Sequence, residues 1–141
     1  DNGRGMDAKM LSKVLDPFVT TRTTRRMGLG LPLFAAAAER CAGKLDIVSE
    51  PGQGTTVTAT FQHSHIDRAP LGDMQATLMA VILADERVRI RYSHRVADKA
   101  FELDTDEIRQ ELEDVPLNYG PITQWLRQYI QEQTEALYEN E

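Results

Sequence analysis

The clearest pattern in the chain is a strict alternation over residues 55–61. Val57, Ala59 and Phe61 fall on one face, and Thr56, Thr58 and Thr60 on the other. A period of two predicts a half-buried strand. Leu45 and Ile47 share a face of a second strand over residues 44–49, and Pro51-Gly52-Gln53-Gly54 supplies the turn between them. Ahead of this hairpin the pattern is helical. Ala35, Ala36, Ala37 and Ala38 are strong helix formers, and Pro32 sits just inside the helix start, where its missing N–H costs nothing. Gly43 is expected to end this helix in a left-handed conformation. Met10, Leu11, Val14 and Leu15 recur at helical spacing, so residues 7–15 predict a short helix that Asp16-Pro17-Phe18 breaks.

Beyond residue 63 the pattern starts afresh. Leu71, Met74, Leu78, Val81 and Ile82 mark one face of a helix over residues 71–84. Residues 87–92 alternate Arg-Val-Arg-Ile-Arg-Tyr, which predicts a half-buried strand with an arginine face. That face could bind an anion, but a solvated face, or pairing with the many acids of this half, is favoured. A turn at residues 96–99 leads to a partner strand over residues 100–103. Asp104-Thr105-Asp106-Glu107 reads as a helix start, with Ile108 and Leu112 facing inward. After a loop at residues 115–121, Ile122, Trp125, Leu126, Tyr129, Ile130 and Leu137 mark a last amphipathic helix. The expected class is α+β. A partial two-layer α/β sandwich over residues 1–63 precedes a helix-hairpin-helix-helix unit over residues 64–141, which is read as an interaction or dimerisation unit.

Composition changes this picture in two ways. The chain has 141 residues, 41% hydrophobic and 27% charged, with a net charge of -6. Residues 1–63 hold eight Lys/Arg and six Asp/Glu, while residues 64–141 hold eight and sixteen. A slightly basic first half suits an anionic ligand, and an acidic second half argues against nucleic acid as a partner. The single cysteine, Cys41, lies on an apolar helix position and reads as a buried thiol. No disulfide can form within the chain, which suits a reducing cytoplasm. The longest apolar run, residues 78–84, is far short of the ~20 residues that span a membrane.

The candidate chemistry sits in residues 1–61. D-N-G-R-G-M at residues 1–6 reads as a carboxylate leading into a tight glycine loop. The hydroxyl- and arginine-rich stretch at residues 20–26 leads into Gly28-Leu29-Gly30, directly ahead of the alanine helix. Glycines that open a helix allow close approach of backbone N–H groups to an anion. The histidines point elsewhere. His63-x-His65 share a strand face, but no Cys or carboxylate cluster completes a metal site, so surface or linker histidines are favoured. No Ser-His-Asp or Cys-His arrangement is discernible.

The motifs D-N-G-R-G-M, D-P-F-V-T-T-R, G-L-G-L and P-G-Q-G-T-T-V occur in this order over residues 1–61. Together they resemble the C-terminal half of a GHKL-type ATPase domain, and most closely the ATP-binding domain of bacterial sensor histidine kinases. The resemblance implies an α/β sandwich, with ATP and Mg²⁺ held between helices and a mobile lid. It implies that Asp1 accepts a hydrogen bond from the adenine amino group and that Thr55 supports it. Gly3 and Gly5 would let the backbone pass close to the nucleotide. Phe18 would anchor the lid's base. Thr21 and Arg22 would lie in the lid, with Arg22 on phosphate, and Gly28, Leu29 and Gly30 would form the phosphate loop.

Two family parts have no counterpart here. The Asn-bearing helix that holds Mg²⁺ would precede Asp1, and His63, His65 and His94 lack the phosphoacceptor pattern. The chain opens on Asp1 inside a motif, so it is expected to be a piece of a longer product with little or no turnover of its own. The nucleotide is the expected ligand, with a homodimer or protein partner engaged through the second half. The alternative is a non-enzymatic interaction module with a degenerate nucleotide fold.

Overall fold

The computed structural model describes residues 1–16, 18 and 28–139. The chain divides into two compact units, Asp1–Pro70 and Leu71–Glu141.

In the first unit a short helix α1 (Ala8–Leu11) is capped by Asp7, whose Oδ1 accepts the Met10 N–H at 2.7 Å. It is shorter than residues 7–15. The next helix, α2, spans Gly30–Arg40. It packs on one face of an antiparallel hairpin, β1 (Lys44–Glu50) and β2 (Gly54–Thr60). Ile47 lies opposite Val57 and Leu45 opposite Ala59, so the apolar positions share a face, as their period requires. Phe34 meets Phe61 with ring centroids 6.0 Å apart. Among the described residues of this unit only Ala35, Ala38 and Cys41 are buried apolar side chains, and Val57 is 38% exposed.

The C-terminus of α2 differs from expectation. The left-handed residue is Ala42, at φ 53°, and not Gly43. Gly43 N–H donates to Ala38 O at 2.9 Å and Ala42 N–H to Glu39 O at 3.2 Å, the paired bonds of a Schellman end. Gly43 is needed for a different reason. A Cβ there would lie 1.8 Å from Thr60 O, so only glycine lets the helix end press against β2.

The second unit contains α3 (Met74–Ala84), the hairpin β3 (Arg91–Val96) and β4 (Lys99–Asp104), α4 (Thr105–Leu112) and α5 (Gly120–Tyr138). Its core gathers Leu78, Met79, Ile82, Phe101, Leu103, Leu117, Leu126, Ile130 and Leu137. Three expectations need correction. Leu71 and Val81 are exposed, and Met79 takes the buried place on α3. Trp125 is 49% exposed and stacks on Tyr129 at 5.4 Å without entering the core. The strand expected over residues 87–92 begins only at Arg91. With the turn at Ala97 and Asp98, β4 supplies partners from Val96 back to Arg91. Thr105 then starts α4 and ties Ile90 through its N–H to Ile90 O and the Ile90 N–H to its own hydroxyl. Among the described residues no strand pairs with residues 87–89. Their arginines pair instead with acids: Arg87 with Asp85, Arg89 with Asp104 and Asp106.

Candidate nucleotide site

The first motif is held to the hairpin by reciprocal backbone bonds. The Asp1 amino group donates to Thr55 O at 2.8 Å, and Thr55 N–H donates back to Asp1 O at 3.3 Å. The Asp1 carboxylate reinforces the join. Its Oδ1 accepts Gly3 N–H at 2.9 Å and Thr55 N–H at 3.2 Å. Among the described residues nothing hydrogen-bonds Oδ2, and the side chain is exposed. A carboxylate fixed by one oxygen and open at the other is a directed acceptor for a ligand N–H.

Two glycines make this approach sterically possible. Gly5 has φ +67°, and a Cβ there would lie 1.8 Å from Glu50 O. Gly54 has φ +96°, and a Cβ there would lie 2.0 Å from Asp1 O. Each combines a left-handed backbone with a backbone contact that no side chain could share. The loop tip is tied as well, because Gly52 N–H donates to Arg4 O at 2.8 Å.

Behind Thr55 lies a residue that the sequence reading missed. The Ser49 hydroxyl accepts Met6 N–H, donates to Gly54 O and meets Thr55 Oγ1, each at 2.9 Å. Ser49 therefore fastens the glycine loop, the hairpin turn and the Thr55 hydroxyl together. A signal was present: Ser49 continues the inward period of Leu45 and Ile47, and a hydroxyl on an inward face needs partners.

The structure thus brings Asp1, Gly3, Gly5 and Thr55 to one end of the hairpin. Gly28, Leu29 and Gly30 lie at the start of α2. Leu29 is the N-cap and offers no side-chain hydrogen bond to the first turn, whose N–H groups are left for other acceptors. A Cβ on Gly30 would meet nothing within 4 Å among the described residues, so neither backbone strain nor packing against them demands glycine there. Phe18 is 75% exposed, and its N–H donates to Asp16 Oδ1 at 2.9 Å. Thr21 and Arg22 lie outside the described residues.

Residues 1–65 match the family described as "Histidine kinase-, DNA gyrase B-, and HSP90-like ATPase". Curated relatives agree. The signal transduction histidine-protein kinase AtoS of Escherichia coli is 40% identical over 58 residues, 41% of this chain and 9% of its own length. The autoinducer 2 sensor kinase/phosphatase LuxQ of Vibrio parahaemolyticus is 31% identical over 97 residues, 64% of this chain and 11% of its own. The sensor histidine kinase YxdK of Bacillus subtilis is 34% identical over 65 residues, 43% of this chain and 20% of its own. The chain spans about a tenth of the length of the first of these relatives. No solved structure matches it. The α+β class, with helices and two small antiparallel sheets, agrees with this ATPase family.

The second unit shows a different chemistry. The Asp104 carboxylate is 10% exposed, accepts Arg89 Nε at 2.9 Å and the Asp106 N–H at 3.0 Å, and caps α4. The Arg89 hydrogen bonds, then the Asp106 N–H, hold its pKa down to about 2 against the opposing effect of burial. Burial pushes the Tyr92 phenol up, with Tyr138 adding to it. His94 stands between those tyrosines, with Tyr92 Oη 3.0 Å from Nδ1 and Tyr138 Oη 3.1 Å from Nε2. The arginine-face alternatives therefore resolve to ion pairing. Among the described residues no group of three or more His, Cys, Asp or Glu gathers as a metal site. Nor is any described helix long and apolar enough to cross a membrane.

Proposed function

We propose that the first unit forms one wall of an ATP site in a histidine kinase-like protein. Its role is phosphoryl transfer or nucleotide-controlled regulation in the native protein. The observation that carries this is the Asp1–Thr55 join, which leaves Asp1 Oδ2 open among the described residues. Asp1 accepts the adenine amino group, and Thr55 supports it. Gly3 and Gly5 keep the adjoining backbone free of side chains. Gly28, Leu29 and Gly30 present N–H groups at the start of α2 to phosphate, with Thr21 and Arg22 closing over it and Phe18 at the base of that segment. The match of residues 1–65 to that ATPase family supports the assignment. ATP supplies the phosphoryl group. The described residues gather no His, Cys, Asp or Glu cluster for Mg²⁺, and its ligands are assigned to an upstream helix. A cytoplasmic setting fits the lone, buried Cys41. Isothermal titration of ATP and Mg²⁺ into the native protein tests this reading. Saturable binding at micromolar to low millimolar ATP is expected, and no heat of binding would refute it.

A second reading has its own support. The first unit leaves Leu33 62% and Phe34 44% exposed on α2. Apolar surface of this kind suits a module that works by association, with a second copy or another protein. Light scattering across a hundredfold concentration range checks it. A strict monomer counts against it.

A further inference from the structure

We propose that the outer edge of β3 is a docking site for an extended acidic segment of a partner protein, which adds to the hairpin as a third, antiparallel strand.

The free edge follows from the register. Ile90 turns both its N–H and its C=O toward Thr105, and the ladder runs in step from Arg91 opposite Asp104 to Val96 opposite Lys99. Backbone groups alternate in direction along an antiparallel strand. Ile90, Tyr92, His94 and Val96 therefore face β4, and Arg91, Ser93 and Arg95 face away from it. Among the described residues this sheet has two strands, and nothing hydrogen-bonds the N–H or C=O of Arg91, Ser93 or Arg95. All three residues are exposed. Each offers one donor and one acceptor to an extended chain laid alongside.

The side chains select the occupant. Arg91, Ser93 and Arg95 share the face turned away from Tyr92 and His94. Arg89, just before the strand, is held by the Asp104 carboxylate at 2.9 Å. Arg91 and Arg95 are held less closely. Their contacts with Asp104 and Glu102 are 3.4 and 3.5 Å, longer than the ~2.7–2.9 Å of a charge-assisted bond. Their side chains are 77% and 72% exposed, so both guanidinium groups are open to a second carboxylate. Residues opposite Arg91 and Arg95 in an added strand stand at i and i+4, and acids fit both places. The residue between them, opposite Ser93, is small and polar. The remaining two positions fall on the other face, beside Tyr92, His94 and the half-exposed Tyr138, and are apolar. A second β3 is the wrong occupant. Pairing centred on Ser93 would set Arg91 against Arg95 of the copy, like charges directly opposite.

NMR titration of the isotope-labelled chain with a blocked peptide carrying Glu-Val-Thr-Val-Glu tests this. Saturable amide shifts are expected at Arg91, Ser93 and Arg95, with cross-strand contacts to the peptide. The same peptide with Lys at both ends is expected to bind about two- to thirtyfold more weakly, the scale of two cross-strand charge pairs. Arg91→Gln with Arg95→Gln is expected to remove that preference. A peptide with Pro in place of its central Thr is expected not to bind, because that residue must donate to the Ser93 C=O. Ser93→Pro in the chain is expected to abolish binding while the hairpin persists, because the lost N–H faces outward. No binding, equal binding of the Glu and Lys peptides, or undiminished binding of the Pro peptide would overturn the proposal. Light scattering that shows self-association lost in Ser93→Pro would assign the edge to a second copy and overturn it as well.

Discussion

Adding one methyl group at Gly54 or at Gly52 separates the site from the turn that carries it. Both glycines have positive φ, +96° and +78°. Alanine at either position meets a strain of ~1–2 kcal/mol from the left-handed backbone. There the resemblance ends. A Cβ on Gly52 meets nothing within 4 Å, whereas a Cβ on Gly54 would lie 2.0 Å from Asp1 O. Gly54→Ala must therefore push Asp1 off β2, which removes the Asp1 N–H to Thr55 O bond and the shared Thr55 N–H bond. At roughly 0.5–1.5 kcal/mol each, these two losses add about 1–3 kcal/mol. The expected cost is then ~1–2 kcal/mol for Gly52→Ala and about 2–5 kcal/mol for Gly54→Ala. Urea unfolding of both variants gives the difference in stability, and amide exchange at Thr55 gives the local effect. Thr55 is expected to lose protection in Gly54→Ala alone. Equal stability loss and equal Thr55 protection in the two variants would refute the claim that Gly54 exists to admit Asp1.

Other expectations concern the frame around the site. Ile130 is fully buried, so Ile130→Ala should cost about 2–5 kcal/mol in thermal unfolding of the second unit, while Trp125→Ala, at a side chain 49% exposed, should cost clearly less. Asp104 has a depressed folded-state pKa, so its contribution to stability is present above the ordinary carboxylate range. That contribution should be lost as pH falls from about 4 toward the folded value of about 2. Acid titration followed by circular dichroism should show this dependence in the wild type and lose it in Asp104→Asn. Ala42 holds the left-handed place at φ 53°, so Ala42→Gly should raise stability by ~0.5–1 kcal/mol in denaturant unfolding, the relief of strain less the entropy of glycine.

Much of the first unit was legible because its signals are local. The threonine alternation fixed the β2 face, and the motifs at residues 1–6 and 51–57 single out Asp1, Gly3, Gly5 and Thr55, which lie together at one end of the hairpin. Ser49 was not legible in the same way. Its value lies in three partners, of which Met6 is 43 residues away in sequence. Residues 87–92 show the opposite failure. Their alternation was real, but a strand needs a neighbour, and the start of α4 at Thr105 removes the neighbour beyond Ile90. Alternating arginines serve an ion-pair cluster around Asp104 and Asp106 equally well. Gly43 illustrates a third case. Glycine after a helix usually marks the left-handed residue, but here it marks a close approach to Thr60, and Ala42 takes the strain. Trp125 and Val81 fit their helical periods and still face solvent, because a period gives a face without giving what covers it.

The central claim is that Asp1, Gly3, Gly5 and Thr55, with Gly28 to Gly30, form one wall of an ATP site. Amide chemical-shift mapping of the native protein during ATP titration addresses it most directly. The account expects saturable shifts at Gly3, Gly5, Gly28, Gly30 and Thr55, with β3 and β4 unchanged. Saturation with shifts confined to the second unit, or no shifts at these five amides, would contradict it.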